Sequence, residues 1–310
     1  MQILRLVLVL ALIVCATACG REGKKPDSAA FVSDGAGDGS VWVVDGPNGG
    51  RLYLCGTIHI LREKDYPLAP AYEAAYMYSN KLVLELPPGA SSGPELTSRM
   101  SQLGMYSADT SLEANVSKET WEAVKKWTEK RGLEISSMNR FRPWFMALLM
   151  TNVEYASLGA KAEMGVDTHF EQRAKKDGKP AEGLETAEFQ IQLFASLSDK
   201  QQRELLEQTL AEVSHVAEEY EKIVLAWKRG DLKALDEMML REAERYADLN
   251  ELFVTARNLA WMDRLEQMLK NGEKVMVLTG TLHFISDTGL IELMRKRGHR
   301  VRHYREVTDF

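Results

Sequence analysis

Short apolar runs occur near both ends of the chain, and the middle shows apolar residues at helical spacing. The segment Gly46–Gly50 separates the first two runs and is typical of a hairpin turn. Pro87-Pro88-Gly89 ends the third run. The predicted strands are Val41–Val44, Leu52–Cys55, Lys81–Leu86, Lys274–Leu278 and Val301–Tyr304.

Helical periodicity dominates from about Pro94 to Ala260. Its clearest segment begins at Ser198, whose spacing to Gln201 predicts a capping box, and is expected to end at Gly230. The remaining predictions are helices over Ala69–Ser79, Asp231–Met268 (with a break allowed) and Thr288–Lys296, and a short strand within Pro180–Glu185.

These elements predict one α/β domain over residues 41–310, ordered as a β-hairpin, a βαβ unit, a large helical insertion and a second βαβ unit. The central sheet is expected to be mixed. The insertion is expected to cover about residues 94–260.

The amino terminus has the pattern of an export signal. Leu6–Val14 is an apolar core too short to span a bilayer, which takes roughly 20 residues. Ala16-Thr17-Ala18 precedes Cys19 as in a bacterial lipobox. We therefore expect a signal peptide over 1–18, lipidation of Cys19 and a flexible polar tether over 19–40. A plain secretory signal cut at the same bond is the alternative.

Export to the bacterial cell envelope follows from this signal, with the protein at the outer membrane or facing the periplasm. Cys15 leaves with the signal and Cys19 is expected to carry lipid, so only Cys55 stays in the folded domain and no internal disulfide is expected. The net charge of −6 implies no broad basic surface, so we expect no nucleic-acid partner.

A phrase repeated near the two ends of the domain carries the candidate chemistry. Gly56-Thr57-Ile58-His59 and Gly280-Thr281-Leu282-His283 each follow an apolar strand. Ligand crevices of open α/β sheets lie at the carboxyl ends of strands, so His59 and His283 are predicted to share a site. Separate hydrogen-bonding roles are the alternative.

Glu85 ends the strand between them and is costly to bury unless paired or metal-bound. Two imidazoles and a carboxylate suffice to bind zinc, manganese, cobalt or iron and leave room for water. The sequence therefore predicts a divalent metal ion on His59 and His283, with Glu85 as third ligand or general base. A structural ion pair at Glu85 is the alternative.

A second group of candidate catalytic residues comprises Asp167, His169, Glu185, Arg257 and Asn258. Asp167 and His169 share a face only if their segment is extended. Glu185 is the candidate second carboxylate. Arg257 is expected to orient Glu185, bind a substrate carboxylate or form an ordinary salt bridge. For His169, helix capping or a surface hydrogen bond is the alternative.

Taken in order, these motifs resemble the TraB/PrgY/GumN family, in its GumN-like bacterial branch, from about Val41 to the carboxyl terminus. The resemblance also includes Val83–Leu86, Pro143-Trp144, Gly165–Phe170 and Gly183–Thr186. Two departures are Ala256, where the family often has Glu, and Gly-Thr-Leu-His in place of Gly-Ala-Gly-His.

The resemblance implies a fold related to erythromycin esterase and ChaN, and kinship with the Tiki proteins, which resemble metal-dependent peptidases using two Gly-x-x-His motifs and a Glu. Together with the export signal, it implies an exported, lipid-anchored metallohydrolase that cleaves a peptide or a related amide or ester bond in a peptide or envelope-derived substrate. The alternatives are an envelope lipoprotein that binds or sequesters its ligand without cleaving it, and a haem- or iron-binding protein by analogy with ChaN.

Overall fold

The computed structural model describes residues 38–92, 94–239 and 247–304. The predicted signal peptide, Cys19 and most of the predicted tether lie outside the described residues. Residues at the end of that tether pack on the domain: Gly39 N–H donates to Lys228 O at 3.1 Å, and Ser40 Oγ donates to Trp227 O at 2.8 Å.

One six-stranded mixed sheet forms the centre of the domain, in the order β4-β3-β5-β2-β1-β6. β2, β5, β3 and β4 are parallel to one another, whereas β1 is antiparallel to both β2 and β6. The predicted α/β class and mixed sheet are confirmed. The strands are β1 (Val41–Asp45), β2 (Arg51–Thr57), β3 (Lys81–Leu84), β4 (Ala181–Gly183), β5 (Lys274–Gly280) and β6 (Val301–His303).

The turn between β1 and β2 forms where it was predicted. Pro47–Gly49 makes a short 3₁₀ helix in which Asn48 and Gly49 have φ of 55° and 75°. Asn and Gly tolerate positive φ better than other residues, which explains why this segment reverses the chain.

The α-helices of the described residues are α1 (Pro70–Tyr78), α2 (Pro94–Gly104), α3 (Leu112–Asn115), α4 (Lys118–Lys130), α5 (Ile135–Met138), α6 (Pro143–Ser157), α7 (Val166–Asp177), α8 (Ala187–Ala195), α9 (Asp199–Glu212), α10 (Val216–Arg229), α11 (Leu232–Met239), α12 (Ala247–Asn250), α13 (Ala256–Lys270) and α14 (Leu290–Lys296). All of them except α1 and α14 lie between β3 and β5 in the sequence. A π-helical turn, Glu251–Thr255, joins α12 to α13.

The helix predicted from Ser198 to Gly230 is two helices. Ser198 and Gln201 form the expected capping box at the start of α9, and Gly230 ends α10 with φ of 64°. Between them the chain leaves helical geometry at His215, which has φ of −114° and ψ of 3° and precedes α10 as its N-cap residue. Apolar spacing continues across this break, so the pattern alone did not reveal it.

Both faces of the sheet are covered, because alternate residues of each strand point to opposite sides. Val41, Val43, Tyr53 and Cys55 pack against the helical insertion. Trp42, Val44, Leu52 and Leu54 pack with residues of α13 and α14. The result is a domain of three layers. Cys55 lies in its core, where burial raises the pKa of the thiol, as expected for a packing residue.

Over residues 38–92, 94–239 and 247–304, no helix has both the length and the apolar character needed to cross a membrane.

Candidate active site

The parallel strands β2, β3 and β5 end at the same edge of the sheet, and a candidate residue follows each of them. His59 Nε2 and His283 Nε2 each lie 3.8 Å from Glu85 Oε1. All three residues are buried, with exposures of 1%, 0% and 4% for His59, His283 and Glu85. The structure therefore brings the three proposed metal ligands into one buried cluster.

Asp167, at the start of α7, contacts the side of the His59 ring that faces away from Glu85. His59 Nδ1 lies 2.6 Å from Asp167 Oδ2, and Thr57 Oγ1 donates to Asp167 Oδ1 at 3.1 Å. Because a carboxylate only accepts, Nδ1 carries the proton and Nε2 of the neutral ring keeps its lone pair. Burial opposes protonation, but the Asp167 charge outweighs it and raises the pKa of His59.

Asp167 lies beside His59 because backbone hydrogen bonds join the two segments. Val166 N–H donates to Ile58 O at 3.1 Å, and Leu61 and Lys161 exchange two backbone hydrogen bonds. A Cβ on Gly165 would lie 2.1 Å from His59 O, so only glycine allows this approach.

His283 is held in the same way by Asn258, from α13. The Asn258 amide nitrogen donates to His283 O at 3.2 Å and Thr288 O at 2.9 Å, which leaves Oδ1 to accept from His283 Nδ1 at 2.6 Å. His283 Nε2 therefore keeps its lone pair, to which Arg257 Nη1 donates at 3.1 Å. Burial, followed by the Arg257 charge, lowers the pKa of His283 to about 3.

Glu85 is ionised despite its burial. Gly280 N–H donates to its Oε1 at 2.7 Å, and Arg257 Nη2 donates to its Oε2 at 2.6 Å. Burial alone would raise the pKa of Glu85, but Arg257, His283 and His59 lower it to about 2.

All N–H groups of Arg257 are used within the protein. Besides Glu85 and His283, the guanidinium donates to Phe253 O at 3.0 Å, and to Glu185 from Nε at 2.9 Å and from Nη2 at 2.8 Å. A guanidinium has five N–H donors, so none is left for a substrate carboxylate. Of the roles considered for Arg257, the structure shows the contact with Glu185 and a salt bridge, and the ion pair with Glu85 is the alternative considered for that carboxylate.

The Glu185 carboxylate accepts hydrogen bonds from Arg257 and from two residues that the sequence analysis did not select. Trp261 Nε1 donates to Glu185 Oε1 at 2.9 Å, and Gln190 Nε2 contacts Glu185 Oε2 at 3.2 Å and Glu85 Oε2 at 3.3 Å. Trp261 lies one turn after Arg257 on α13, so helical spacing was a usable signal for it.

His169 is not part of this cluster. Its segment is helical, so it does not share a face with Asp167. The His169 ring packs 5.7 Å from the Tyr66 ring and 4.9 Å from the Phe170 ring, measured between centroids. Burial lowers the pKa of His169.

Within the described parts of the chain, no group of three or more His, Cys, Asp or Glu side chains has an arrangement that could hold a metal ion. Two of the three proposed ligands are already engaged by Arg257, which donates to His283 Nε2 and to Glu85 Oε2. One observation fits a role for His59 in binding a cation: its Nε2 is buried and has no hydrogen-bond partner among the described residues.

A narrow surface pocket opens at this edge of the sheet. Glu85, Asp167 and Glu171 contribute to its lining. A larger pocket lies at the opposite edge, beside Arg51 and Lys274, and contains none of the predicted site residues. Of the three clustered residues, Glu85 lines the narrow pocket.

Comparison with known sequences decides the family of the protein. The sequence model of the TraB/PrgY/gumN family matches residues 40–303. The chain belongs to the TraB/PrgY/gumN family. Two similar relatives, both called "Uncharacterized protein YbaP", come from Escherichia coli K12 and Shigella flexneri. Each is 25% identical over 249 residues, which are 80% of this chain and 89% of the relative.

No solved structure matches the chain, so the likeness to ChaN and Tiki folds stays a prediction. The TraB/PrgY/gumN match includes both Gly-x-x-His phrases, whose histidines converge on Glu85.

Proposed function

We propose that this protein is an exported, lipid-anchored, metal-dependent hydrolase that cleaves peptide bonds. The observation that carries the proposal is the buried His59 Nε2, which has no hydrogen-bond partner among the described residues and lies 3.8 Å from Glu85 Oε1. A buried nitrogen lone pair beside a carboxylate is costly unless a cation or a proton donor satisfies both.

His59, His283 and Glu85 would hold the ion. Metal-bound histidines usually donate their second ring N–H to a carboxylate or carbonyl oxygen, which fixes the tautomer. Asp167 does this for His59, and Asn258 does it for His283. A His₂Glu donor set suits zinc, manganese or cobalt.

The ion would lower the pKa of a bound water to about 7 and so supply a nucleophile at neutral pH. The protein keeps two of the three ligands in their reactive forms, whereas the raised pKa of His59 means that the ion must displace a proton there. The low pKa of His283 keeps its ring neutral, and Arg257 keeps Glu85 ionised. Arg257 also competes for the His283 lone pair, so a ligand role for His283 requires Arg257 Nη1 to release it.

Attachment to the membrane would come from a lipid on Cys19, which lies outside the described residues. Labelling with a radioactive fatty acid tests this, with Cys19→Ser as the comparison. Label that persists in Cys19→Ser would refute lipidation at this residue.

Metal content by mass spectrometry, measured on wild type, His59→Ala and His283→Ala, is the test of the metal site. We expect about one ion per chain in wild type and loss of the ion in both variants, with circular dichroism confirming that they fold. A screen of peptide libraries with that metal then tests cleavage. Full metal content in either variant would refute the shared site.

The second candidate function is a lipoprotein that binds a ligand without cleaving it. The near-complete burial of His59, Glu85 and His283 favours it, because a buried cluster meets few substrates. Turnover separates the two functions: a hydrolase releases fragments, whereas a binding protein saturates with intact ligand.

A further inference from the structure

The larger pocket lies at the amino ends of β2 and β5, whose first residues, Arg51 and Lys274, contribute to its lining. Its volume is about 370 Å³, within the roughly 300–1,000 Å³ that is typical of small-molecule sites. The strand β2 has seven residues and so extends about 20 Å at roughly 3.3 Å per residue. The cluster of His59, Glu85 and His283 lies beyond its other end, so the pocket is a separate site.

Part of the Arg51 guanidinium is not used within the described residues. Its Nε donates to Asp45 Oδ1 at 2.6 Å, and its Cζ lies 6.0 Å from the centre of the Tyr53 ring. No described carboxylate or carbonyl oxygen accepts a hydrogen bond from Nη1 or Nη2. These two nitrogens form a planar fork that can pair with two oxygens of a carboxylate or phosphate group.

The charge of the lining is positive. Asp45 is its carboxylate, and this group is compensated by Arg51 and by Arg302 Nη2, which lies 3.3 Å from Asp45 Oδ2. Lys274 adds a second cation to the lining, is exposed, and has no carboxylate within ion-pair distance among the described residues. The pocket therefore attracts an anion.

Three tyrosines supply the ring surface of the pocket. The buried rings of Tyr53 and Tyr304 meet edge to face with their centroids 6.4 Å apart, and Tyr78, at the end of α1, is 49% exposed. None of the described residues that line the pocket is Ala, Val, Leu, Ile or Met; the rest of the lining is glycine and charged residues. Aromatic rings among polar groups suit a sugar, which offers C–H groups to a ring face and hydroxyls to polar neighbours.

We infer that this pocket binds a small anionic sugar, with its phosphate or carboxylate group on Arg51 and Lys274 and its ring against the tyrosines. The site does not depend on the proposed hydrolase function, because it shares no residue with the cluster.

Calorimetry on the full-length protein in EDTA tests this with glucose 6-phosphate, glucuronate and neutral glucose as probes. We expect at least one of the two anionic sugars to bind about tenfold more tightly than glucose, because only the anions form charge-assisted hydrogen bonds with the guanidinium. The tighter of the two identifies the anionic group that the pocket prefers. Inorganic phosphate and acetate, which carry the charge without the ring, should bind more weakly than the matching sugar.

Arg51→Gln should reduce the preference for the anionic sugar to about twofold or less. Lys274→Gln should also weaken it, and this residue is exposed and unpaired among the described residues, so the variant serves if Arg51→Gln folds poorly. Lys126→Gln removes an equal charge from an exposed residue of α4 and should keep the full preference. Tyr78→Ala should weaken binding of the sugar without changing that of inorganic phosphate or acetate.

Equal affinity for glucose and both anionic sugars, or no measurable binding of any probe, would overturn the inference. Binding of inorganic phosphate or acetate as tightly as the matching sugar would overturn recognition of the sugar ring. A preference that survives in both Arg51→Gln and Lys274→Gln, or that is lost in His59→Ala, would place the anion outside this pocket. A protein that binds no metal but shows the preference would refute the metal site and support the sugar site.

Discussion

Arg257 donates to Glu85 Oε2 at 2.6 Å, and the two side chains are 1% and 4% exposed. The same guanidinium pairs with Glu185, whose side chain is 7% exposed. One buried cation therefore compensates two buried carboxylates, and the integrity of the cluster depends on it.

Replacing Arg257 with Met should destabilise the protein by about 3–5 kcal/mol, because removal of one partner leaves buried charges without compensation. Urea unfolding in EDTA measures this. Arg257→Lys is the matched control: it keeps the charge but has only three donors, so we expect a smaller loss. A change below about 1 kcal/mol in Arg257→Met would contradict the role given to the guanidinium, since exposed pairs typically contribute that little.

Asp167→Asn should weaken metal binding by about 10–100-fold, since partners of ligating histidines typically contribute that much. The amide can donate to His59 Nδ1 and so favour the wrong tautomer. Competition with a chromophoric chelator measures the affinity. Glu163→Gln removes an exposed negative charge and should bind metal like wild type. Unchanged affinity in Asp167→Asn would exclude Asp167 as the residue that orients His59.

The pKa of His283 predicts a loss of stability in acid. With a pKa of about 3 in the folded protein and about 6.5 in the unfolded chain, the ring takes up its proton on unfolding at pH values between the two. The unfolded state then binds more protons, so the free energy of unfolding falls as the pH drops from about 6.5, with a limiting slope of about 1.4 kcal/mol per pH unit.

Urea unfolding in EDTA between about pH 5 and 6.5 tests this slope. His283→Asn should flatten the dependence. His59→Asn should leave the slope over this range nearly unchanged, because His59 has a raised pKa, so the stability it contributes is present below about 6.5 and is lost only as the pH rises through its folded pKa. Parallel curves for wild type and His283→Asn would mean that His283 titrates normally.

Sequence reasoning reached the strand ends because their signals are local. Glycine and histidine after an apolar run mark His59 and His283, and the Ser198 capping box marks the start of α9. The orientation of each imidazole was out of reach, because it depends on Asp167 and Asn258, which come from separate helices that only the fold brings to the rings.

The pairing of both buried carboxylates with one arginine could not be predicted from the sequence either. Contact with Glu185 was one of several roles predicted for Arg257, but its sharing between Glu185 and Glu85 depends on the fold, which brings together residues 72 and 172 positions apart. His169 shows the converse: its proximity in sequence to Asp167 suggested a shared role, and helical geometry separates them.

Gly165 offers a test of how closely the metal site depends on backbone packing. Alanine at Gly165 would place Cβ 2.1 Å from His59 O, so the His59 segment must move, at a cost of about 1–3 kcal/mol. We expect lower metal affinity together with lower stability. Gly132→Ala is the control, because Gly132 has φ of 65° and open space around it. It should lose about 1 kcal/mol through backbone strain and keep its metal. Chelator competition and urea unfolding on the two variants separate the effects: equal metal affinity in both would show that His59 does not need the close approach of Gly165.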